Sequence, residues 1–524
     1  MNLKKSTLVL ILLVAVLSLC PANLSSQDNE SVYKKIELYQ DVLDKVSSRY
    51  VTSIAPSDLI IRSIDGMIKS LDHYSQLLNP DDYNDLKVDT KGRFGGIGIE
   101  IGVRNDVLTV IAPIEGTPAY KMGLQGGDRI IKIEGESTKG WTTLDAVKKL
   151  RGPKGTKATI TIEREGLAEP FDVTITRDII KVKSVPYYFM VTPTTGYLRL
   201  STFSESSGRE VRDAVRDLQD KGMESLILDL RYNPGGLLNQ AIEVAEVFLK
   251  KGEKIVYTEG RYKGQNHEYL AEQDGLTVGS PMVVLINKYS ASASEIVAGA
   301  LQDHDRALII GEPSFGKGSV QTLFELDDNY ALRLTTAYYY TPSGRSIHKA
   351  EKSEVVAIEG HAPSDVKKTK EGGYFTDSGR EVFGGGGIIP DIVVKPEELS
   401  EAAMKLLVKP VFFNFVVKYK SNNPNLNQDF EVGEDLLEDF YSYILGQGID
   451  IDEDEYTAEK NFVKMRLEFE IDRAYWGEGV ARKKGLQYDV EATKALEVIE
   501  KGNTLAGLFK LAADYQEQNG DQSN

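Results

Sequence analysis

Two short stretches carry residues able to do chemistry together. Residues 289–295 read YSASASE, and residues 311–321 read GEPSFGKGSVQ. The first offers Ser290, Ser292 and Ser294 with Glu295; the second offers Lys317 between glycines. A serine hydroxyl needs a base before it attacks a carbonyl. A lysine can be that base when burial lowers its pKa toward neutrality. Two other readings compete for Lys317. From Gly311 the spacing fits a phosphate loop, G-x-x-x-x-G-K. The next residue, however, is Gly318, where Ser or Thr must hold magnesium, and the chain then reads into a strand, not a helix. Ser314-x-x-Lys317 has the spacing of penicillin-binding enzymes. It lacks the SDN and KTG companions, and no helix puts the two residues on one face.

The elements around these stretches suit a nucleophile. An apolar strand, MVVLIN, runs into small residues, and a helix follows, SEIVAGALQD. A serine at such a junction is lifted out of the sheet at a helix N-terminus. Backbone N–H groups and the helix dipole there favour developing negative charge, as an oxyanion requires. The plain alternative is that the serines only cap the helix. A histidine base is weakly supported. The chain has five histidines, His73, His267, His304, His348 and His361, none in a convincing setting. His304 reads as an exposed or helix-terminal residue beside Asp303 and Asp305. Lys317 follows the apolar strand RALIIGE, and a strand end in the same sheet can bring it beside the serine.

The chain as a whole bounds the function. It has 524 residues, too many for one core. Its formal net charge of −17 argues against nucleic acid or an anionic membrane surface as the main partner. Lys4 and Lys5 precede the apolar run Leu8–Leu19, short for a membrane span and right for a secretory signal. Residues 1–27 are therefore read as a signal or N-terminal anchor, and the location as exported, in the periplasm or cell envelope. Cys20 is the single cysteine, so no internal disulfide forms. It sits where a lipidated cysteine would, although Leu19 is large for that processing site. Residues 28–90 carry helical periodicity. Residues 91–178 hold a glycine loop and short alternating strands, with a helix at LDAVKKL. Residues 179–400 alternate strands and helices, the pattern of a layered α/β core. Residues 401–524 are acidic and mainly helical. No cluster of Cys, His or carboxylates is spaced for a metal.

With these motifs in place, NKYSASASEIVAGALQDHDRALIIGEPSFGKGSVQ resembles the signature of the C-terminal processing (tail-specific) peptidases of family S41. The resemblance covers roughly residues 30–400. It implies a multidomain α/β fold: a ClpP/crotonase-like peptidase core with an inserted PDZ domain and helical N- and C-terminal regions. It implies Ser292 as nucleophile and Lys317, 25 residues on, as general base. Gln321, one helical turn's spacing further, would orient that lysine. DLRYNPGGLL matches the glycine turn whose N–H joins that of Ala293 in an oxyanion hole. Gly236 is favoured for this and Gly235 stays open. FGGIGIEI with GTPAYKMGLQGGDRIIKIEGE resembles a PDZ domain, placing Phe94, Gly95, Gly96 and Ile97 in a loop that captures a chain terminus. Arg151 occupies the position of a PDZ arginine that in some members senses bound substrate; otherwise it is a surface arginine before a Gly-Pro turn. Asp128 reads as structural, capping a turn. The implied substrates are proteins with exposed apolar C-terminal tails, without cofactor. An adaptor protein, membrane attachment through the N-terminus and homo-oligomerisation stay open. For residues 401–524 the roles are packing against the core, dimerisation or docking that adaptor. The rivals to a peptidase are a PDZ-type binding scaffold with a dead core and a nucleotide-binding enzyme.

Overall fold

The computed structural model describes residues 26–349 and 373–519. The run Leu8–Leu19, Cys20 and His361 lie outside them. The chain forms two compact units. The described part of the smaller runs from Ser26 to Leu78, with Leu323–Leu326 and Tyr330–Leu334. It contains helices Ser26–Arg49 and Pro56–Lys69. Pro56 opens the second helix, where its fixed φ suits the first turn and its missing N–H costs nothing. Gln76–Leu78 pairs antiparallel with Ala331–Arg333, and Arg333 donates to the Gln76 side chain at 2.8 Å.

The larger unit holds everything else. Its first module is an antiparallel sheet in the order Ile99–Arg104, Val107–Pro113, Arg129–Ile133, Lys157–Glu163, Phe171–Thr176. KATITIE shows why: its residues alternate between faces, and Ala158, Ile160 and Ile162 are wholly buried in the module's core. Helix Thr143–Leu150 is fixed at its start by a capping box between Thr142 and Asp145. Ile99–Arg104 ends the sheet order, so one of its edges carries no strand of this sheet.

The second sheet runs Tyr188–Met190, Thr195–Arg199, Ser225–Asp229, Met282–Ile286, Leu308–Gly311, Ile392–Val393. Its first pair is antiparallel and the rest are parallel. Parallel strands are covered on both faces, hence the unbroken apolar runs SLIL, MVVLI and LII. On one face lie helices Ser207–Asp220, Leu238–Glu246 and Ala293–Asp303. The other face is covered by Ala492, Ala495, Val498, Ile499, Leu508 and Ala512. These belong to helices Val490–Gly502 and Leu505–Asn519, so the end of the acidic region packs on the sheet. Residues 401–476 build a separate core instead, around Phe412, Phe415 and Phe440. The periodic run EYTAEKNFVKMRLEFEIDRAYW is two helices, Glu453–Ala458 and Lys460–Trp476. Among the described residues, no helix is long and apolar enough to cross a membrane.

Candidate active site

Strand Met282–Ile286 hands the chain to helix Ala293–Asp303 through the turn that carries the three serines. They differ in exposure. Ser290 and Ser294 are fully buried and committed. Ser290 donates to the Leu230 carbonyl and accepts the Asn287 N–H, both at 2.9 Å. Ser294 donates to the Asn233 carbonyl at 2.9 Å. Ser292 keeps part of its surface open and occupies the helix N-cap. Its φ of 55° and ψ of −111° are strained for a residue with a side chain, at a cost of roughly 1–3 kcal/mol.

The lysine loop reaches this turn through one carboxylate. Glu295 is buried, and its Oε2 accepts the Ser292 N–H at 2.7 Å and the Lys317 N–H at 2.9 Å. Oε1 accepts the Gly316 N–H at 2.7 Å and the Ser314 hydroxyl at 2.5 Å. The backbones of Ser292 and Lys317 thus share one oxygen atom. Burial pushes the Glu295 carboxyl up from its ordinary pKa, against the pull of these four hydrogen bonds. Sequence reasoning set Glu295 only in the helix's first turn. The S-x-x-E spacing of 292–295 is the signal that could have revealed its contact with Ser292. Lys317 is half-buried, and Tyr339 donates its hydroxyl to the Lys317 carbonyl. Gln321 lies on strand Ser319–Glu325, and its amide donates to the Ser319 hydroxyl at 2.9 Å.

The YNPGG turn completes the group. A Cβ on Gly235 would stand 2.9 Å from both the Ala293 nitrogen and the Ser292 Cβ, so only glycine allows this approach. The Gly235 N–H is already given to the Asn233 side chain at 2.9 Å. The Gly236 N–H has no acceptor among the described residues. Ala293 is the first residue of its helix, where an N–H has no intrahelical acceptor. Among the described residues, the N–H groups of Gly236 and Ala293 are thus left uncommitted beside Ser292.

Beneath this turn lies Arg231, buried among three carboxylates. It donates to Asp229 at 2.8 and 3.0 Å, to Asp489 at 2.7 and 2.9 Å, and to Glu491 at 2.5 Å. Burial alone would raise the Asp229 carboxyl, but Arg231 and Arg199 outweigh it and hold it well below the usual carboxylate range. Asp489 and Glu491 begin the helix that covers the sheet's far face, so the C-terminal region grips the strand end that feeds the glycine turn. No sequence pattern announced this link.

The glycine loop of the first module has a different neighbourhood. Phe94, Gly95 and Gly96 pair with residues 178–180, and Ile97 is buried below. The Gly152 N–H donates to the Gly95 carbonyl at 3.0 Å, which brings Arg151 to the loop. The Arg151 guanidinium lies 4.7 Å from the Phe94 ring centre and donates to Asp85 at 2.8 Å. Phe94, Gly95, Gly96 and Arg151 thus lie together, and strand Ile99–Arg104 begins three residues after Gly96. Asp128 is buried, accepts the Gln125 N–H at 2.8 Å and pairs with Arg164, as a structural residue does. His304 ends helix Ala293–Asp303, as read, but is not exposed. Its ring bridges Asp377 at 2.8 Å and the Lys254 carbonyl at 2.7 Å. Among the described residues, no three His, Cys, Asp or Glu side chains are grouped to hold a metal ion.

Two stretches of the chain match known families. Residues 194–359 match peptidase family S41, and residues 109–164 match the PDZ domain. The carboxy-terminal-processing protease of Bartonella bacilliformis is 45% identical over 361 residues, 68% of this chain and 82% of that protein. The carboxyl-terminal-processing protease of Synechocystis sp. is 40% identical, over 58% of this chain and 74% of that one. The carboxy-terminal processing protease CtpA of Bacillus subtilis is 37% identical, over 60% and 67%.

Proposed function

The chain belongs to peptidase family S41 and its PDZ-bearing carboxy-terminal processing proteases, and from that premise we propose that it is an exported serine endopeptidase cutting near protein C-termini through a Ser–Lys dyad. The PDZ loop Phe94–Ile97 takes the substrate's terminal carboxylate on backbone N–H groups. The tail then adds as a strand along the edge of Ile99–Arg104. Neutral Lys317 removes the proton from the Ser292 hydroxyl as Oγ bonds to the scissile carbonyl carbon. The Gly236 and Ala293 N–H groups hold the resulting oxyanion. The lysine proton passes to the leaving amine, the C–N bond breaks, and the acyl-enzyme remains. Water, deprotonated by Lys317, releases the new C-terminus and restores Ser292. Gln321 and Arg151 serve as the orienting and substrate-sensing residues.

The observation that most supports this reading is the shared Glu295 oxygen, which holds the Ser292 and Lys317 backbones side by side. The polar, solvent-accessible Ser292 between two committed serines adds to it. The test uses a folded reporter protein with an unstructured apolar C-terminal tail. Wild type shortens it, and mass spectrometry locates the cut. Ser292→Ala and Lys317→Ala each abolish cleavage while still binding the tail. Tail binding without cleavage by wild type would favour the scaffold reading. Saturable ATP binding lost in Lys317→Ala would favour the nucleotide reading. Export is tested by fractionating cells that make the full chain; recovery from the cytoplasm alone would overturn it.

A further inference from the structure

Three exposed aromatic residues stand on the three loops that meet at the candidate site. Tyr232 is 64% exposed and lies three residues before Gly235; Tyr289 is 52% exposed and lies three before Ser292. Phe315 is 48% exposed, two residues before Lys317. The tyrosine rings stack, with centres 5.3 Å apart and planes 18° from parallel.

Their backbones are tied to one turn. The Asn287 side-chain oxygen accepts the N–H of Tyr232 at 2.9 Å and of Tyr289 at 3.2 Å. The Ser290 carbonyl accepts the Phe315 N–H at 3.0 Å. Ser290 also bonds Leu230, just ahead of Tyr232. The rings are therefore carried by the same rigid backbone that sets Ser292, the glycine turn and the lysine loop.

Tyr232 is an expensive choice at its position. Its φ is 55°, the left-handed region, where a bulky side chain is strained and Gly or Asn would rest more easily. The ring recovers little of that by burial, since most of it faces solvent. A strained residue presenting an open ring beside a reaction centre points to a use outside the fold. Stacked tyrosines offer a flat apolar face with polar tips, at low conformational cost.

We propose that Tyr232 and Tyr289, with Phe315 beside the lysine, form an aromatic collar that receives a large apolar side chain next to the scissile bond. This rests on the peptidase reading. The cut position would then be chosen at the collar, separately from capture of the tail by the PDZ loop. Substrates would be tails with Leu, Phe or a similar residue at the cut, not merely at the terminus.

The test uses the full chain and peptides sharing one apolar tail, with Ala, Leu or Phe flanking a single cleavage site. The variants are Tyr232→Asn, which suits the left-handed backbone, and Tyr289→Ala. The expected result is that the kcat/KM ratio of Phe over Ala peptides falls roughly 10- to 100-fold in each, the range for one pocket contact. Thermal melts confirm that both variants fold. Affinities of the same peptides for Ser292→Ala, with and without the tyrosine substitutions, give a second readout that needs no turnover. An unchanged ratio and unchanged affinities, with Ser292→Ala inactive, would overturn the collar alone. Full activity of Ser292→Ala would overturn the Ser–Lys reading on which the collar rests.

Discussion

The two glycine loops of the larger unit spend their backbone groups in opposite ways. In SFGKG, residues 314–318, two N–H groups and a hydroxyl end on the buried Glu295, beside the Ser292 N–H. In FGGI, residues 94–97, the backbone pairs with a neighbouring strand and with Gly152. The charge beside it, Arg151, meets Asp85 with side chains 34% and 56% exposed. A buried carboxylate with every bond made tolerates one arrangement, because any lost partner leaves a desolvated donor behind. An exposed ion pair is worth about 0–1 kcal/mol and is easily traded for water. In the proposed mechanism, chemistry is held by contacts without alternatives, and recognition by contacts that can be exchanged.

The sharpest way to break this contrast is Glu295→Ala. It orphans four donors at once, so activity should fall at least about 100-fold and stability by roughly 2–4 kcal/mol. Turnover and urea denaturation measure both, and a stable, active variant would erase the distinction between the loops. Gly236→Ala comes next. A side chain there runs into the Phe203 carbonyl and disturbs the proposed oxyanion donor. Loss of one such donor costs roughly 100- to 1,000-fold in kcat, with KM less affected. A larger loss from Gly235→Ala in kcat alone would move the donor to Gly235.

A smaller effect comes from His304, which offers a titratable contact inside the peptidase core. Burial pulls its pKa down, but Asp377 and the Lys254 carbonyl outweigh this and raise it above the ordinary histidine value. The charged form therefore stabilises the fold. That contribution is complete below about pH 6.5 and is lost as pH rises through the elevated pKa. Melting temperature should decline across that interval, and His304→Gln should flatten the decline; an equal slope in both would remove His304 as its cause. The smallest effect belongs to the surface pair. Asp85→Asn should change stability by less than about 1 kcal/mol, and less still in high salt. A tail-binding titration would then show whether releasing Arg151 alters affinity, and a large loss of stability would put this pair with the buried contacts.

How legible the site was in the sequence follows from contact range. Ser292, Lys317 and the glycine turn stand out because small residues and glycines interrupt apolar strands. The strand after Lys317, Ser319–Glu325, was readable for the same local reason. Glu295 was visible as a residue but not as a clamp, since the partners that define it come from another loop. His304 was read as exposed or terminal; it is terminal but covered, because Asp377 and Lys254 reach it from distant segments. The amphipathic helices of residues 490–519 were legible as helices. Nothing in their periodicity told which apolar surface they would find. The collar tyrosines passed unnoticed because an exposed ring gives no pattern until the backbone angle at Tyr232 is known.

The grip on Arg231 also orders events in time. Asp489 and Glu491 follow it by 258 and 260 residues. At about 5–20 residues per second, a ribosome delivers them roughly 10–50 s after Arg231 has emerged. Until then a buried arginine lacks two of its three counter-charges, and the strand end that feeds the glycine turn has no far-side brace. The brace on the glycine turn is therefore among the last contacts the chain can make as it is synthesised.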